Sequence, residues 1–292
     1  MGATVTTTGS AQGCGRDWPL CNGRFVPDFA LATAIEFSHR ALTGVEGVLI
    51  VALTVAVLAL YRDHRPVWVL APLMLGSLLL QAGMGAWAVK YPQQPVVLAL
   101  HFGISLIALA SVTLTALYVR RPDQIRSAPA VWNGLRLATW GLTAYLYLLI
   151  YSGAYIRHAG AAAACTSWPV CTSGANTTAG VAVNLAHRGA ALAALLLGMA
   201  LLLGYRWLEP ARRDLSTGGW VLLATLLAQG GAGAFLVLSR YSLSAELLHA
   251  ALTGVVFTAA AYLCLRVTVG GPRNATAPSL RRPRGLRTQG AP

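Results

Sequence analysis

The sequence predicts an all-helical membrane protein, built as a tandem parallel repeat of two four-helix bundles, with seven spans visible and the first span of the first bundle missing. Three observations predict this class. The composition is strongly apolar, long apolar segments alternate with short polar breaks, and one set of residues recurs at a constant offset along the chain.

The composition excludes most soluble classes. Of the 292 residues, 56% are apolar and 11% are charged, and the mean hydropathy is +0.59, whereas about 25% of the residues of a soluble domain are charged. A disordered chain, a coiled coil and an ordinary soluble enzyme are therefore excluded. The net charge of +13 is spread over short loops and the C-terminus, which is typical of membrane orientation signals and argues against nucleic-acid binding.

Seven apolar segments are long enough to cross a membrane, because a span needs about 20 residues. Backbone polar groups in hydrocarbon must be satisfied within the segment, so these segments are predicted to be helices. Proline and charged residues interrupt the chain between them. The predicted spans are 34–61, 66–89, 95–119, 135–156, 179–206, 217–238 and 243–267.

Charge and cysteine usage both predict the orientation. Most of the 22 lysine and arginine residues lie in alternate loops and in the C-terminal tail, which the positive-inside rule places in the cytoplasm. Two close cysteine pairs, Cys14 with Cys21 and Cys165 with Cys171, then lie on the outer side, where disulfides persist. Cys264 lies within an apolar segment and is predicted to be a buried thiol.

An internal repeat organises the chain. Because matching loops face the same side, the two copies are parallel, and a parallel repeat needs an even number of spans per unit. The first copy is therefore expected to lack its first helix: either the chain begins upstream of Met1 or this lineage lost the helix. The residues that recur at an offset of 148 are His39-Arg40 as His187-Arg188, His101 as His249, and Gln81-x-Gly83-x-Gly85 as Gln229-x-Gly231-x-Gly233.

The repeat predicts the domain organisation. The N-terminal half is expected at 1–120, a cytoplasmic linker at 121–134 and the C-terminal half at 135–268. The remaining residues, 269–292, are rich in proline, arginine and threonine, and they are predicted to form a disordered cytoplasmic tail.

Four histidines, His39, His101, His187 and His249, are predicted to lie at a similar depth near the outer ends of their helices. Ionisable groups within spans are costly and by default functional. Two imidazoles on facing helices can ligate one iron axially, as in b-type haem proteins built on four-helix bundles. The alternative is a hydrogen-bonded interhelical histidine, and zinc is disfavoured because few thiolates or carboxylates are near.

The neighbours of these histidines also have two interpretations. The glycines Gly83, Gly85, Gly231 and Gly233 permit close approach either of a macrocycle or of a neighbouring helix. Arg40 and Arg188 are candidate partners for haem propionates, or they are anchors that extend to the membrane surface. His64 and His158 are expected in solvated loops.

One difference between the two copies predicts where chemistry occurs. Glu36 precedes His39 by three residues and shares its helix face, whereas the counterpart in the second copy is Asn184. A carboxylate can accept a proton or stabilise positive charge, and an amide cannot act as a base. The asymmetry assigns chemistry to the first bundle and electron transfer to the second, unless Glu36 is only a charge favoured by the helix dipole.

The segment Thr8–Gly23, with Cys14-Gly15-Arg16-Asp17-Trp18-Pro19-Leu20-Cys21 at its centre, and the segment Ile35-Glu36-Phe37-Ser38-His39-Arg40 resemble the bacterial heme A synthase family. The likeness covers about residues 2–268. It implies an eight-helix oxidoreductase of the bacterial cytoplasmic membrane that converts heme O into heme A. The reaction oxidises the C8 methyl group to a formyl group by successive hydroxylations and loss of water.

The resemblance also implies the roles of the site residues. A heme b cofactor in the C-terminal half would be held by His187 and His249, and the substrate heme O in the N-terminal half by His39 and His101, with Glu36 as the functionally needed acid. The Cys14–Cys21 pair corresponds to the outer-loop disulfide of the family. The implied partners are membrane lipid, an electron acceptor, a heme O synthase and further copies of the chain. The missing first span is the departure from the family.

Two other functions and two roles for the cysteine loops compete with these expectations. A di-haem b-type membrane cytochrome would only transfer electrons, and it needs no difference between Glu36 and Asn184. A transporter would place polar residues at the midplane instead of near the outer end. The Cys14–Cys21 and Cys165–Cys171 bridges are expected either to stiffen loops over the haem pockets or, for the first pair, to exchange with a thiol reductant.

Overall fold

The structure, a computed structural model, describes residues 1–91, 94–126, 128–174 and 177–269. Its regular elements in these ranges are helices. They are α1 (Gly2–Thr7), α2 (Leu31–Leu60), α3 (Val67–Lys90), α4 (Pro95–Arg120), α5 (Pro122–Arg126), α6 (Asn133–His158), a 3₁₀ helix (Ala161–Ala164), α7 (Thr178–Leu208), α8 (Arg213–Leu238) and α9 (Leu243–Thr268).

Six of the described helices, α2, α3, α4, α7, α8 and α9, are long and apolar enough to cross a membrane. The predicted class of all-helical membrane protein is therefore confirmed. The observed ends of these helices differ from the predicted spans by about one helical turn at most, because each apolar run ends at proline or charged residues. Proline at the first position of α4 is one such boundary.

The remaining predicted span, 135–156, is also a helix (α6), but it is not among the six helices that are apolar enough to cross a membrane. The physical reason is its composition, because four tyrosines within it lower its mean hydropathy, and part of its surface contacts α4, α7 and α9. Polar groups on this helix find partners there. Tyr145 donates to the carbonyl of Ala190 of α7, whereas Tyr147 and Tyr151, both on α6, contact each other with their hydroxyls 3.0 Å apart.

Two short helices lie where the sequence predicted none. Residues 121–134, predicted as a linker, include α5 and the start of α6. The polar N-terminus forms α1. The ends of α1 and α6 are alike, because the residue after each helix has right-handed helical backbone angles and the next residue is a glycine with positive φ, Gly9 or Gly160. Helix α1 packs against α2 and α9.

The apolar core is divided along the predicted halves. One buried cluster draws on α6–α9 and includes Leu146 and Leu222, and another draws on α2–α5 and includes Met74. A small third cluster joins them through Leu106 of α4 and Phe257 of α9. The domain boundaries and the repeat with its two four-helix bundles stay predictions. The predicted disordered tail lies, from residue 270 onward, outside the described residues.

A buried charge cluster closes the second half at the end opposite to His249. The carboxylate of Asp214 bonds Arg212 and Arg266 at 2.9 and 2.7 Å, and the side chains of the two arginines are only 3% and 10% exposed. Arg212 also donates to the carbonyl of Arg266. The cluster therefore ties the start of α8 to the end of α9.

We expect Asp214→Asn to lower the free energy of unfolding by about 3 kcal/mol, because breaking a buried ion pair leaves a desolvated charge without its partner. The matched control is Asp28→Asn. Its ion pair with Arg24 is exposed, so its loss should cost less than about 1 kcal/mol. Unfolding in mixed detergent micelles measures both changes, and equal effects of the two variants would contradict the prediction.

Candidate functional site

The four predicted histidines come together as two pairs. His39 of α2 and His101 of α4 lie within range of a Coulombic interaction, and so do His187 of α7 and His249 of α9. Each pair therefore belongs to one predicted half. His158, expected in a loop, is the last residue of α6. It also lies close enough to His101 for the charges of the two rings to interact.

Each of the four rings lies near a glycine of another helix. A Cβ built on Gly85 of α3 would be 3.7 Å from Cε1 of His101, and a Cβ on Gly233 of α8 would be 3.3 Å from Cε1 of His249. In the same way Gly2 of α1 lies beside His39. These glycines leave room for an imidazole, which neither sequence-based interpretation named.

The fourth ring, that of His187, makes the closest of these approaches. A Cβ on Gly153 of α6 would be 2.9 Å from its Cε1 atom. Gly153 and Gly2 have the same position relative to the C-terminal ends of their helices, which are His158 in α6 and Thr7 in α1. The sequence-based prediction had no signal for either glycine, because the repeat comparison began after α6.

The glutamines of the recurring Gln-x-Gly-x-Gly motif hold their helices against the histidines. Gln81 donates to the backbone carbonyl of His101 at 2.5 Å. Gln229 donates to Thr253, one turn beyond His249, at 2.8 Å. Nothing lies within 4 Å of a Cβ built on Gly83 or Gly231, so open space flanks the motif in both halves.

Glu36 is buried, at 4% exposure, and both of its carboxylate oxygens accept hydrogen bonds. Oε1 accepts from Arg40 at 2.5 Å, and Oε2 accepts from the backbone N–H of Cys14 at 2.8 Å. The carboxylate therefore accepts a hydrogen bond on each oxygen, and it links the Cys14 loop to the helix that carries His39.

Asn184, the counterpart of Glu36, makes the opposite kind of contact. Its amide donates to the carbonyls of Ala161 and Gly180 at 2.9 and 2.8 Å. The Arg188 guanidinium consequently has no carboxylate beside it, and its Nη2 atom is buried without a hydrogen-bond partner among the described residues. The two copies therefore differ in charge as well as in residue type.

Arg40 and Arg188 both hold the cysteine loops, a role that sequence-based reasoning missed. Arg40 donates to the carbonyls of Asp17 and Leu20 at 2.7 and 2.6 Å. Arg188 donates to the carbonyls of Ser167 and Pro169 at 2.9 and 2.8 Å, and it lies over the ring of Trp168.

The cysteines form the bridges Cys14–Cys21 and Cys165–Cys171. Each bridge closes a loop beside one histidine pair. Tyr241 holds the second loop, because its hydroxyl lies 3.0 and 3.3 Å from the carbonyl oxygens of Ala162 and Cys165 and shares its one hydrogen between them. Burial raises the pKa of its phenol. The thiol of Cys264 is free and buried, as predicted.

Other polar contacts near the site were missed because they cross between elements that the repeat does not relate. Glu246, which lies three residues before His249, accepts from Arg157 of α6 at 2.9 Å and from Thr7 of α1 at 2.5 Å. At the opposite ends of the membrane helices, His64 is half-buried, and its Nδ1 atom forms a hydrogen bond of 2.8 Å with the hydroxyl of Tyr118. His64 is therefore not a solvated loop residue.

The fold and the site define a class: a helical, multi-pass membrane protein that carries two pairs of histidines within its helices. Comparisons with known proteins narrow this class. The model of the COX15-CtaA family, described as cytochrome oxidase assembly protein, matches residues 27–261. The chain therefore belongs to the COX15-CtaA family.

Curated relatives span nearly the same length. The chain is 41% identical over 269 residues to the protein named Heme A synthase of Exiguobacterium sibiricum, which covers 90% of this chain and 88% of the relative. It is 40% identical over 281 residues to the Heme A synthase of Symbiobacterium thermophilum, with 92% and 90% covered. It is 37% identical over 273 residues to the Heme A synthase of Bacillus cereus (strain AH187), with 90% and 86% covered.

Proposed function

We propose that this chain is a heme A synthase, an oxidoreductase that converts the C8 methyl group of heme O into the formyl group of heme A. The observation that carries the proposal is the identity of about 40% over about 90% of the chain to relatives of that name. The membrane helices and the paired histidines support it, because a haem substrate needs both an apolar site and axial ligands.

The residues fit a haem in each half. Each half offers two imidazoles on different helices, the usual axial ligands of a b-type haem in a helical bundle. The Nδ1 atoms of His39, His101 and His249 are buried and lack hydrogen-bond partners among the described residues. A buried polar atom without a partner costs free energy, so these rings fit a site that a further group completes.

Within this proposal His187 and His249 hold the heme b cofactor, and His39 and His101 hold the substrate heme O. When bound, heme b supplies one-electron redox chemistry beside the substrate. The protein supplies the ligands, an apolar surrounding and the fixed charges. The N-terminal half, 1–120, is then the substrate bundle, and the C-terminal half, 135–268, is the cofactor bundle.

Glu36 is the proposed catalytic residue of the substrate half. Its two oxygens are held by hydrogen bonds from Arg40 and from the Cys14 N–H, and it shares a helix face with His39. A fixed anion there stabilises positive charge that develops at the substrate carbon. Each oxygen also retains a lone pair that can accept a proton.

The two arginines are proposed to have different roles toward haem propionates. The Nη2 atom of Arg188 is buried and unpartnered within the described part of the chain, so it is free to bind a carboxylate, for which arginine geometry is well suited. The Nη2 atom of Arg40 already donates to Glu36. Arg188 is therefore the stronger propionate candidate, and Arg40 positions the catalytic carboxylate.

The location of the site follows from the charge pattern of the loops. The chain is proposed to lie in the bacterial cytoplasmic membrane with its C-terminus in the cytoplasm, which puts both disulfide loops and both haem sites toward the outer face. A heme O synthase, further copies of this chain and an electron acceptor are the proposed partners. The Cys14–Cys21 bridge is proposed to hold the loop that orders Glu36.

Conversion in a cell that makes heme O but no heme A tests the proposed function. Expression of the chain is expected to produce haem that carries a formyl group, identified by the mass and the pyridine haemochrome spectrum of the extracted pigment. Protohaem and heme O alone, with the chain present in the membrane, would instead favour the second candidate, a di-haem b-type cytochrome. The contrast between Glu36 and Asn184 favours the enzyme, since electron transfer alone needs no carboxylate.

Gly153→Ala tests the fit of the cofactor half. The added Cβ would lie 2.9 Å from the ring of His187, so the ring must move, and we expect haem b retention to fall about 10-fold, as for other changes that misplace a ligand. Gly141→Ala on the same helix is the matched control, because nothing lies within 4 Å of its Cβ. Equal haem b spectra of the two purified variants would contradict the expectation.

A further inference from the structure

Ser152 is the residue before Gly153 on α6, and its hydroxyl lies between two acceptor-capable atoms. Its Oγ atom is 2.7 Å from the carbonyl oxygen of Leu149 and 2.8 Å from Nδ1 of His187. A hydroxyl has one hydrogen, and a carbonyl can only accept. The hydroxyl therefore donates to Leu149 and accepts from the N–H at Nδ1 of His187.

This arrangement determines which nitrogen of His187 is free. A neutral imidazole carries one N–H, so protonation at Nδ1 leaves the lone pair on Nε2. The reverse assignment would leave two oxygen atoms 2.7 Å apart without a hydrogen between them. The contact to Ser152 thus presets His187 as an Nε2 ligand before any iron arrives.

Among the four histidines His187 is the one whose Nδ1 atom has such a contact in the described part of the chain, whereas the ring of His249 is contacted at Nε2, 3.3 Å from the side-chain amide nitrogen of Gln229. The Nδ1 atoms of His39, His101 and His249 are buried without hydrogen-bond partners in the ranges that the structure describes. In the first half, Gly2 of α1 lies beside His39, with a built Cβ 3.5 Å from its Cε1 atom.

We propose that Ser152 is a positioning residue that holds His187 as a strong haem ligand, so that the second half retains its haem while the first half can release its own. The proposal rests on the proposed function and deepens it. A ligand histidine that donates its other N–H is better oriented and more basic, and losing such a partner typically weakens metal binding by about 10- to 100-fold. A substrate site must instead let its product leave.

Two matched pairs of proteins that differ at position 152 separate the effect of the hydroxyl from that of side-chain shape. Wild type is compared with Ser152→Ala, and Ser152→Thr is compared with Ser152→Val, which has nearly the same shape. Ser111→Ala is the control, because Ser111 is a buried serine that donates only within its own helix. The full chain is purified with its haem b, and transfer of haem to excess apomyoglobin gives the rate of loss. A redox titration gives the midpoint potential.

We expect Ser152→Ala and Ser152→Val to lose haem b at least about 10-fold faster and to shift the potential in the positive direction, because a less basic imidazole stabilises ferric iron less. Ser152→Thr and Ser111→Ala should behave as wild type. Either pair decides the question if the other does not fold. Equal rates of haem loss and equal midpoint potentials in the two members of a folded pair would overturn the proposal, even if the wild type converts heme O. A wild type that holds haem b without making heme A would overturn only the proposed function.

Discussion

Replacing His187 or His249 with alanine is expected to remove the bound haem b from the purified protein. The two rings belong to α7 and α9 and lie in the same half. Losing only the hydrogen-bond partner of a ligand typically costs about 10- to 100-fold in affinity, so losing the ligand itself should cost about 100-fold or more. The absorption spectrum and the extracted haem per mole of protein measure the effect.

The first-half histidines provide the matched comparison for this prediction. His39→Ala removes an imidazole of the same kind, beside a glycine in the same way, and it should leave the haem b content of the second half unchanged while weakening the binding of added heme O. If His39→Ala and His187→Ala lost the same haem, the assignment of cofactor and substrate to separate halves would be wrong.

The second large effect is expected for Glu36→Gln, which should keep haem b but reduce the conversion of heme O by about 100-fold or more, the usual contribution of a positioned acid or base. Glutamine has nearly the same shape but no charge. Its carbonyl can still accept one hydrogen bond, whereas its NH₂ group would face either the Arg40 guanidinium or the Cys14 N–H, both of which are donors. The ratio of heme A to heme O in cell extracts measures conversion.

Because Glu36 also anchors the Cys14 loop, a control must separate charge from anchoring. Thr33 supplies it: its hydroxyl donates to the carbonyl of Gly13 at 2.7 Å, so it ties the same loop to the same helix without a charge. Thr33→Val should retain most of the conversion. A loss as large as that of Glu36→Gln would show that loop anchoring, and not the carboxylate, explains the effect.

Much of the fold follows from composition and periodicity. A membrane span must satisfy its own backbone polar groups, so an apolar run of sufficient length has little choice but to be a helix, and the run from Thr178 to Leu208 was predicted nearly to its ends. The histidine pairs were predictable for a related reason. Ionisable groups in spans are costly, and their recurrence at one offset assigned each to a copy.

The side-chain environment of the site was less predictable. Arg40 and Arg188 were predicted to face propionates or the membrane surface, and in the structure both donate to loop carbonyls. A sequence shows that an arginine can donate five hydrogen bonds, but it does not show which acceptors the folded loop presents. Likewise Gly85 and Gly233 were recognised as sites of close approach, and only the structure shows an imidazole there.

The amino-acid sequence by itself determined the helices, the recurring histidines and the difference between Glu36 in the first copy and Asn184 in the second, because these depend on local hydrophobicity and on the repeat. Only the tertiary structure decided what surrounds each imidazole. Ser152 and Gly153 reach His187 across the interface between α6 and α7, and Glu36 reaches Cys14 through the folded outer loop. Such contacts join residues distant along the chain, and they form only when the helices pack.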